Sequence, residues 1–262
     1  MRLRITYINV LVFLLTTIIA GCSLPDDELN LENRVVVATM GASLMYAENG
    51  WVETACKNLN ILCLNKAVNS EITIHFAQKL WRSQYASQHE LENIDILLIQ
   101  FANCKDVYGN DTMFMATADD YTATYTADTA TPFAEYNYAQ QMDYILKKWQ
   151  QICTQYNKPM HVIFMTHWHD ARVTYNHSIR LLAQRWNADI CELDTHIGFT
   201  KDQPLADGSQ PSLQYAKDTE DIDGILYGWH PKRGKEGKYI QSVMASILTE
   251  KLSDYLSTHT IQ

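Results

Sequence analysis

Ser43 and His230 are the residues of this chain whose chemical types suit nucleophilic catalysis. Ser43 follows a β-branched run at residues 35–37 and the small residues Gly41 and Ala42. This order predicts a buried strand, a sharp turn and a serine hydroxyl near a helix N-terminus, where backbone N–H groups stabilise negative charge. A histidine beside such a serine can accept its proton. A serine at this place is also a common helix N-cap, so the stretch by itself leaves both roles open.

Strand-like and helix-like segments alternate along the chain and would have to position these two residues. Apolar runs predict five strands, at residues 35–37, 61–68, 94–101, 161–166 and 188–193. Apolar side chains at helical spacing predict helices between them and a last helix around residues 240–248. This alternation predicts an α/β fold, a mostly parallel five-stranded sheet with helices on both faces. Residues 108–132 and 200–223 lack a clear period and are predicted to be irregular.

The polar residues that follow the predicted strands are candidates for a functional site. The carboxyl ends of parallel strands meet at one edge of a sheet, and ligands bind beyond that edge. The candidates are Ser43, Asn69, Ser70, Asn103, Cys104, residues 167–170 and, in the final loop before the last helix, His230. We expect them to lie at the same edge of the fold.

Four short segments resemble the motif blocks of the SGNH, or GDSL-type, hydrolase family. They read GASL at 41–44, NKAVNS at 65–70, FANC at 101–104 and YGWH at 227–230. The corresponding family blocks are Gly-Asp-Ser-Leu, a loop with a glycine, Gly-x-Asn-Asp and Asp-x-x-His. The resemblance runs from about residue 35 to residue 252. It implies the flavodoxin-like three-layer α/β/α sandwich of SGNH hydrolases and cleavage of an ester by a serine nucleophile.

The resemblance also implies a role for each retained residue. Ser43 would be the nucleophile and His230 the general base. The oxyanion hole would be formed by the backbone N–H groups of Ser43 and Ala67 and by the side-chain amide of Asn103. Ala67 stands where the family has glycine, and its N–H can serve if alanine adopts the required backbone conformation.

The residues that support the catalytic groups in the family are mostly replaced in this chain. Ala42 and Tyr227 stand where the family has aspartate. Without the second aspartate, a backbone carbonyl could orient His230 and leave a Ser–His dyad. Asp221 or Asp223 could approach from the preceding segment instead, although neither has the family spacing.

A second cluster, Thr166-His167-Trp168-His169-Asp170, also follows a predicted strand. Metallo-β-lactamase-type hydrolases carry a similar His-x-His motif, but here Asp170 comes one residue too early and no further histidine-rich segment follows. Two histidines rarely complete a catalytic zinc shell, so no metal site is predicted. We expect His167, Trp168 and His169 to line a substrate pocket, with Trp168 stacking on a sugar ring. The alternative is a structural loop.

The N-terminus resembles a bacterial lipoprotein signal. Residues 1–21 carry two arginines, an apolar stretch and the first letters of a lipobox-like sequence, IAGC at 19–22. The resemblance implies cleavage before Cys22, lipidation of Cys22, a flexible tether over residues 22–33 and a folded domain over residues 34–262. The expected location is the outer membrane of a Gram-negative bacterium, facing the periplasm or the surface. A simple secretory signal with a chance cysteine is the alternative.

Charge and cysteine content narrow the classes of partner. The formal net charge of −9, without a basic cluster, argues against nucleic acid. The five cysteines after Cys22 include no CxxC pair, and no cofactor is predicted. Cys56 and Cys63 are close enough in sequence to pair, although all five could equally be small buried hydrophobes.

The expected function follows from the combination of family and anchor. A lipid-anchored SGNH-type protein of the cell envelope is expected to be an esterase that removes O-acyl groups, such as acetyl, from a glycan. No residue indicates acetyl specificity. The alternative is a non-catalytic glycan-binding or scaffolding lipoprotein that has kept the fold after losing its support residues.

Overall fold

The computed structural model describes residues 31, 34–46, 49–101, 138–168, 173–197, 219–222, 225–231 and 238–261. Within these ranges the strands are β1 (Val36–Gly41), β2 (Leu62–Leu64), β3 (Ile96–Gln100), β4 (His161–Met165), β5 (Asp189–Cys191), β6 (Thr219–Ile222) and β7 (Ile225–Pro231). The helices are α1 (Trp51–Asn58), α2 (Thr73–Trp81), α3 (Gln88–Asn93), α4 (Tyr138–Gln155), α5 (Val173–Trp186), α6 (Leu193–Ile197) and α7 (Lys238–Thr258).

The first five strands form one parallel sheet in the order β2-β1-β3-β4-β5. From β1 the chain crosses to β2 on one side and then returns to β3 on the other. This reversal of direction opens a crevice at the carboxyl ends of β1 and β3, the usual ligand position in flavodoxin-like sheets. The predicted parallel five-stranded sheet is therefore confirmed.

Helices cover both faces of this sheet because alternate strand residues point to opposite sides. On β1, Val36, Ala38 and Met40 pack with apolar residues of α2, α4 and α5. Val37 packs with residues of α1 and α7 on the other face. The two hydrophobic clusters make the predicted three-layer α/β/α sandwich.

A short helix that the sequence analysis did not predict, α3, precedes β3. Its first turn is held by a capping box, in which the Glu90 N–H donates to the Ser87 hydroxyl at 3.2 Å and the Ser87 N–H donates to the Glu90 carboxylate at 2.8 Å. Six residues are too few for a clear apolar period. The spacing of Ser87 and Glu90 was the local signal for this helix.

A two-stranded antiparallel sheet, β6 and β7, corrects two predictions about the region before the last helix. Residues 219–222 are strand rather than irregular chain, and His230 lies within β7 rather than in a loop. Ile222 pairs with Ile225, so the sequence between them is Asp223-Gly224, a dipeptide typical of two-residue hairpin loops. That dipeptide was the signal that the prediction overlooked.

Several predicted segments lie outside the described residues: the signal over 1–21, the tether up to residue 30, and the irregular segment 108–132. Among the helices in the described part of the chain, none has the length and apolar character needed to cross a bilayer. The thiols of Cys56, Cys63, Cys153 and Cys191 are free. Burial raises the pKa of Cys153 to about 11 and that of Cys191 to about 12.

His161, the first residue of β4, is buried, and the fold favours its neutral form. Its Nδ1 lies 2.7 Å from the Tyr255 hydroxyl. Burial, and then the nearby charge of His259, lowers the pKa of His161 below its ordinary value. Protonation therefore favours the unfolded chain. The stability that neutral His161 contributes is complete above the unfolded pKa, about 6.5, and is lost as the pH falls toward the folded pKa.

We expect His161→Gln to weaken the loss of stability in acid, because glutamine does not titrate. Urea unfolding at pH 7.5 and 5.5 measures the difference, with His89→Gln in α3 as the control. The difference in free energy of unfolding between the two pH values should be smaller in His161→Gln than in the wild type and in the control. An unchanged difference would show that the acid sensitivity comes from other groups.

Candidate active site

Ser43 lies on a tight turn that leaves the carboxyl end of β1. The Ala42 carbonyl accepts hydrogen bonds from the N–H groups of Met45 at 3.0 Å and Tyr46 at 3.1 Å. Residues 42–46 thus make one isolated helical turn, and α1 begins only at Trp51. The prediction that Ser43 opens a helix is corrected to this single turn. The residue is partly exposed beside the crevice between β1 and β3.

Two side chains fix the carbonyl groups of this turn. The indole N–H of Trp51 donates to the Leu44 carbonyl at 2.8 Å. The side-chain amide of Asn65 donates to the Met45 carbonyl at 2.8 Å and to Glu53 at 3.1 Å. Ser43 is therefore held by contacts to α1 and to the segment after β2, and its place is set by the tertiary fold.

Gly41 allows the turn to pack closely on the neighbouring strand. A Cβ atom at this position would collide with the side chain of Met45 and would stand 2.9 Å from the Gln100 carbonyl oxygen. The Met45 side chain is buried and belongs to the cluster that α1 and α7 cover. The glycine of the GASL segment is thus required by packing against β3.

The segment after β2 is docked on β1 through Thr39, and this uses the N–H of Ala67. The Thr39 hydroxyl donates to Asn65 Oδ1 at 2.8 Å. It accepts the Ala67 N–H at 3.0 Å, and Asn65 Oδ1 accepts the same N–H at 3.2 Å. The geometry therefore corrects the assignment of Ala67 to the oxyanion hole, because its donor is already bonded inside the scaffold.

The glycine-like backbone of this segment occurs at Ser70. Its φ of 60° is left-handed, a conformation that favours glycine. It lies in a turn closed by the hydrogen bond from the Glu71 N–H to the Val68 carbonyl at 3.1 Å. The Val68 N–H in turn donates to the Gly41 carbonyl at 3.1 Å. This hydrogen bond places the turn beside the end of β1. The turn is exposed to solvent.

A carboxylate and an imidazole that the sequence analysis did not single out follow this turn. Glu71 is buried, and one of its oxygens lies 2.8 Å from Nδ1 of His75. Its other oxygen forms an ion pair with Lys79. The i, i+4 spacing of Glu71 and His75 was the available signal. His75 is half exposed and has the carboxylate-fixed orientation that a general base needs.

Tyr175 joins the carboxyl ends of β3 and β4 on the other side of Ser43. Its hydroxyl accepts the Phe101 N–H at 3.2 Å and donates to the Met165 carbonyl at 2.8 Å. The Gln100 amide adds a hydrogen bond to the Thr166 carbonyl at 2.7 Å. Asn103, the predicted side-chain donor, lies outside the described residues.

His167 and Trp168 are part of the core, which corrects their assignment to a substrate pocket. Their exposed fractions are 1% and 0%. The His167 N–H donates to Asn176 Oδ1 at 2.7 Å, and Trp168 packs in the cluster that α1 and α7 cover. Neither ring can stack on a sugar in this arrangement. His169 lies outside the described residues.

A partly buried polar network holds the chain at Thr166, just before His167. Asp194 accepts hydrogen bonds from the Thr166 hydroxyl at 2.9 Å and the Asn176 amide at 3.0 Å. Both of its oxygens also accept from Arg180, at 2.7 and 2.9 Å. The carboxylate is therefore fully bonded within the fold. In the described ranges, no three His, Cys, Asp or Glu side chains come together in a way that could hold a metal ion.

Two apolar side chains near Ser43 are open to solvent. Tyr46 is 48% exposed and Val68 is 38% exposed, and their N–H groups bond to the neighbouring carbonyls of Ala42 and Gly41. Exposed apolar side chains beside a crevice mark a surface that can bind a ligand.

The structure places His230 in β7 and Asp221 in β6 and describes nothing further of these two residues. Asp223 lies outside the described residues.

A family model with the description "Domain of unknown function (DUF5040)" matches residues 33–256. The chain belongs to the DUF5040 family. No curated protein matches this DUF5040 chain in sequence.

Solved structures align with this chain over most of its length. A possible lipase from Chitinophaga pinensis DSM 2588 aligns with a TM-score of 0.55 at 11% identity, over 85% of this chain and 99% of its own. A provisionally named SGNH hydrolase from Slackia heliotrinireducens gives a TM-score of 0.45 at 12% identity, over 84% and 100% of the two chains. At such identities a likeness concerns the fold alone. The first likeness and the strand order together confirm the predicted SGNH-type fold.

Asn65 should be the side chain on which the geometry of the Ser43 turn depends most. We expect Asn65→Ala to lower the free energy of unfolding by about 2–3 kcal/mol, because several partly buried hydrogen bonds lose their partner. Asn58→Ala is the matched control, since Asn58 is exposed and makes one long hydrogen bond of 3.3 Å to Thr249. That control should change stability by less than about 0.5 kcal/mol. Urea unfolding compares the two, and equal losses would contradict the role given to Asn65.

Proposed function

We propose that this DUF5040 chain is a serine ester hydrolase with Ser43 as nucleophile and His230 as general base. The observation that carries the proposal is the position of Ser43. A partly exposed serine sits on a rigid turn at the carboxyl end of β1, next to the crevice where the connections that leave β1 and β3 go to opposite sides. Sites in this class of fold lie at that crevice.

The proposed reaction is acyl transfer in two steps. His230 takes the Ser43 proton as the hydroxyl oxygen attacks the acyl carbon of the ester. The tetrahedral intermediate then collapses, its bond to the alkoxide breaks, and the alkoxide receives the proton from His230. Water, activated by His230, next attacks the acyl-serine and releases the carboxylic acid and free Ser43.

The oxyanion of this reaction needs hydrogen-bond donors, and the proposal assigns two of them to the N–H of Ser43 and the side-chain amide of Asn103. Removing a single donor of this kind costs about 3 kcal/mol in the transition state. The Ala67 N–H does not serve, since it donates to Thr39 and Asn65. The exposed turn at Ser70 is the part of the same segment that can replace it.

The proposed substrate is an O-acylated glycan, with acetyl as the simplest acyl group. Tyr46 and Val68 offer exposed apolar surface on which the substrate could rest. The choice of a glycan derives from the lipoprotein-like N-terminus, which would place the domain at the envelope of a Gram-negative bacterium.

A second candidate function is glycan binding or scaffolding without turnover. One observation favours it: a predicted oxyanion donor, the Ala67 N–H, is consumed by the scaffold. The replacement of two family aspartates by Ala42 and Tyr227 points the same way. A fold that has lost catalysis would still keep its rigid core and its exposed apolar groups.

Labelling with a fluorophosphonate probe separates the two candidates. We expect the wild-type domain to be labelled, Ser43→Ala to show no labelling, and His230→Ala to be labelled at least about a hundredfold more slowly, as for loss of a general base. Ser253→Ala, on the exposed face of α7, is the serine control. His75→Ala removes the imidazole bonded to Glu71 and is the histidine control.

Each outcome of this labelling has a definite meaning. If His75→Ala rather than His230→Ala slows labelling, the base is assigned wrongly. If the folded wild type is not labelled at all, the serine mechanism fails and the binding function takes its place.

The anchoring of the domain is a separate proposal and rests on Cys22. We expect Cys22→Ser to abolish incorporation of radioactive palmitate and to move the protein from the membrane fraction to the soluble fraction, because the serine cannot form the thioether to the lipid. Cells expressing either form are labelled and fractionated, with Cys63→Ser as the control for cysteine loss. Membrane association of Cys22→Ser without palmitate would overturn lipidation as the anchor.

A further inference from the structure

A second groove lies at the opposite edge of the sheet from Ser43. Its cavity volume is about 440 Å³, within the range of about 300–1,000 Å³ that is usual for ligand sites. We call it the Trp81 groove; the side chains that matter here are those of Trp81, Gln88, Lys148, Gln151, Gln155 and Tyr156.

The topology separates this groove from the candidate active site. α2 begins after the segment that leaves the carboxyl end of β2, and it runs back to end at Trp81. α3 and the end of α4 lead into the amino ends of β3 and β4. The groove therefore lies at the amino edge of the sheet. A five-residue strand such as β3 spans roughly 16 Å from its amino end to its carboxyl end.

The exposed indole ring of Trp81 is the feature of the groove that most strongly indicates a ligand. Its side chain is 43% exposed, and among the described residues the other large apolar side chains with such exposure are Tyr46 and Val68, beside Ser43. The Arg82 guanidinium lies 5.8 Å from the centre of the indole ring. An exposed tryptophan costs hydration free energy that a flat apolar ligand face can recover.

One wall of the Trp81 groove is a polar face of α4. Lys148, Gln151 and Gln155 recur at helical spacing, so they share one side of the helix, with Ile152 between them. Gln88 and Ser87 of the α3 segment add amide and hydroxyl groups. None of the described residues that line the groove is acidic, although the chain has 30 acidic residues.

These groups match the chemistry of a carbohydrate. A sugar ring has an apolar face of C–H groups that stacks on an indole, and an edge of hydroxyl groups that pair with amides. Lys148 adds a donor for a hydroxyl or a carboxylate. We propose that the Trp81 groove binds an oligosaccharide segment, with Trp81 as the stacking platform and Gln155 as a hydrogen-bonding residue.

The proposal extends the proposed function and rests on it for the choice of a glycan. An enzyme that removes acyl groups from a polymer gains effective concentration when a second site on the same domain holds the chain. The groove would then retain the polysaccharide while Ser43 reacts with groups further along it. The active site and the groove can nevertheless be tested apart.

The test is calorimetric titration of the Ser43→Ala domain with defined hexasaccharides, namely cellohexaose, xylohexaose, chitohexaose and hexagalacturonate. We expect at least one to bind, and Trp81→Ala to weaken that binding at least about tenfold, since it removes the stacking ring. Gln155→Ala should weaken it severalfold. Gln150→Ala is the matched control, because Gln150 is exposed on the same helix outside the groove, and it should bind like the parent.

The following outcomes would contradict oligosaccharide binding in the Trp81 groove without contradicting the proposed esterase activity. Binding that is equal in the parent, Trp81→Ala and Gln155→Ala would place the sugar elsewhere, and absence of binding to all four sugars would remove the oligosaccharide. A dimer lost in Trp81→Ala, seen by sedimentation, would show that a second copy of the chain covers Trp81. Fluorophosphonate labelling of the wild type decides the serine mechanism independently. Trp81-dependent binding without labelling would leave the groove valid and the catalysis wrong.

Discussion

The hydrogen bond between the Thr39 hydroxyl and the Asn65 side chain is the contact on which the candidate site depends. It ties β1 to the segment after β2, at 2.8 Å and across 26 positions of sequence. Through its amide, Asn65 also holds the Met45 carbonyl of the Ser43 turn and reaches Glu53 of α1. The nucleophile candidate, the strand and the first helix therefore form one rigid unit.

The same unit limits what chemistry the site can do. Holding a serine in place without reorganisation favours catalysis. The network achieves this by bonding the Ala67 N–H to Thr39 and Asn65, and a donor used in the scaffold cannot stabilise an oxyanion. In the proposed mechanism, stabilisation of the oxyanion is therefore assigned to Ser43, Asn103 and the left-handed turn at Ser70. The segment after β2 therefore cannot hold the Ser43 turn through this network and also offer its Ala67 N–H to an oxyanion.

Helices α2 and α4 run between the two edges of the sheet, one of which carries the candidate active site and the other the Trp81 groove. α2 starts beyond the Ser70 turn and ends at Trp81, and α4 carries the groove residues on its last turns before β4. Exposed large apolar side chains in the described ranges occur only at these two edges, at Tyr46, Val68 and Trp81.

Local patterns in the sequence determined the architecture: apolar runs of strand length, helical spacing between them, and Ser43 after the first run. These patterns are local because a strand or helix repeats over a few residues. The Asp223-Gly224 hairpin and the Ser87 capping box were also readable, but were overlooked. Only the tertiary structure decided that the Ala67 N–H is occupied and that Trp168 is buried under α1 and α7. Both depend on partners distant in sequence, and a residue's position after a strand does not reveal what packs over it.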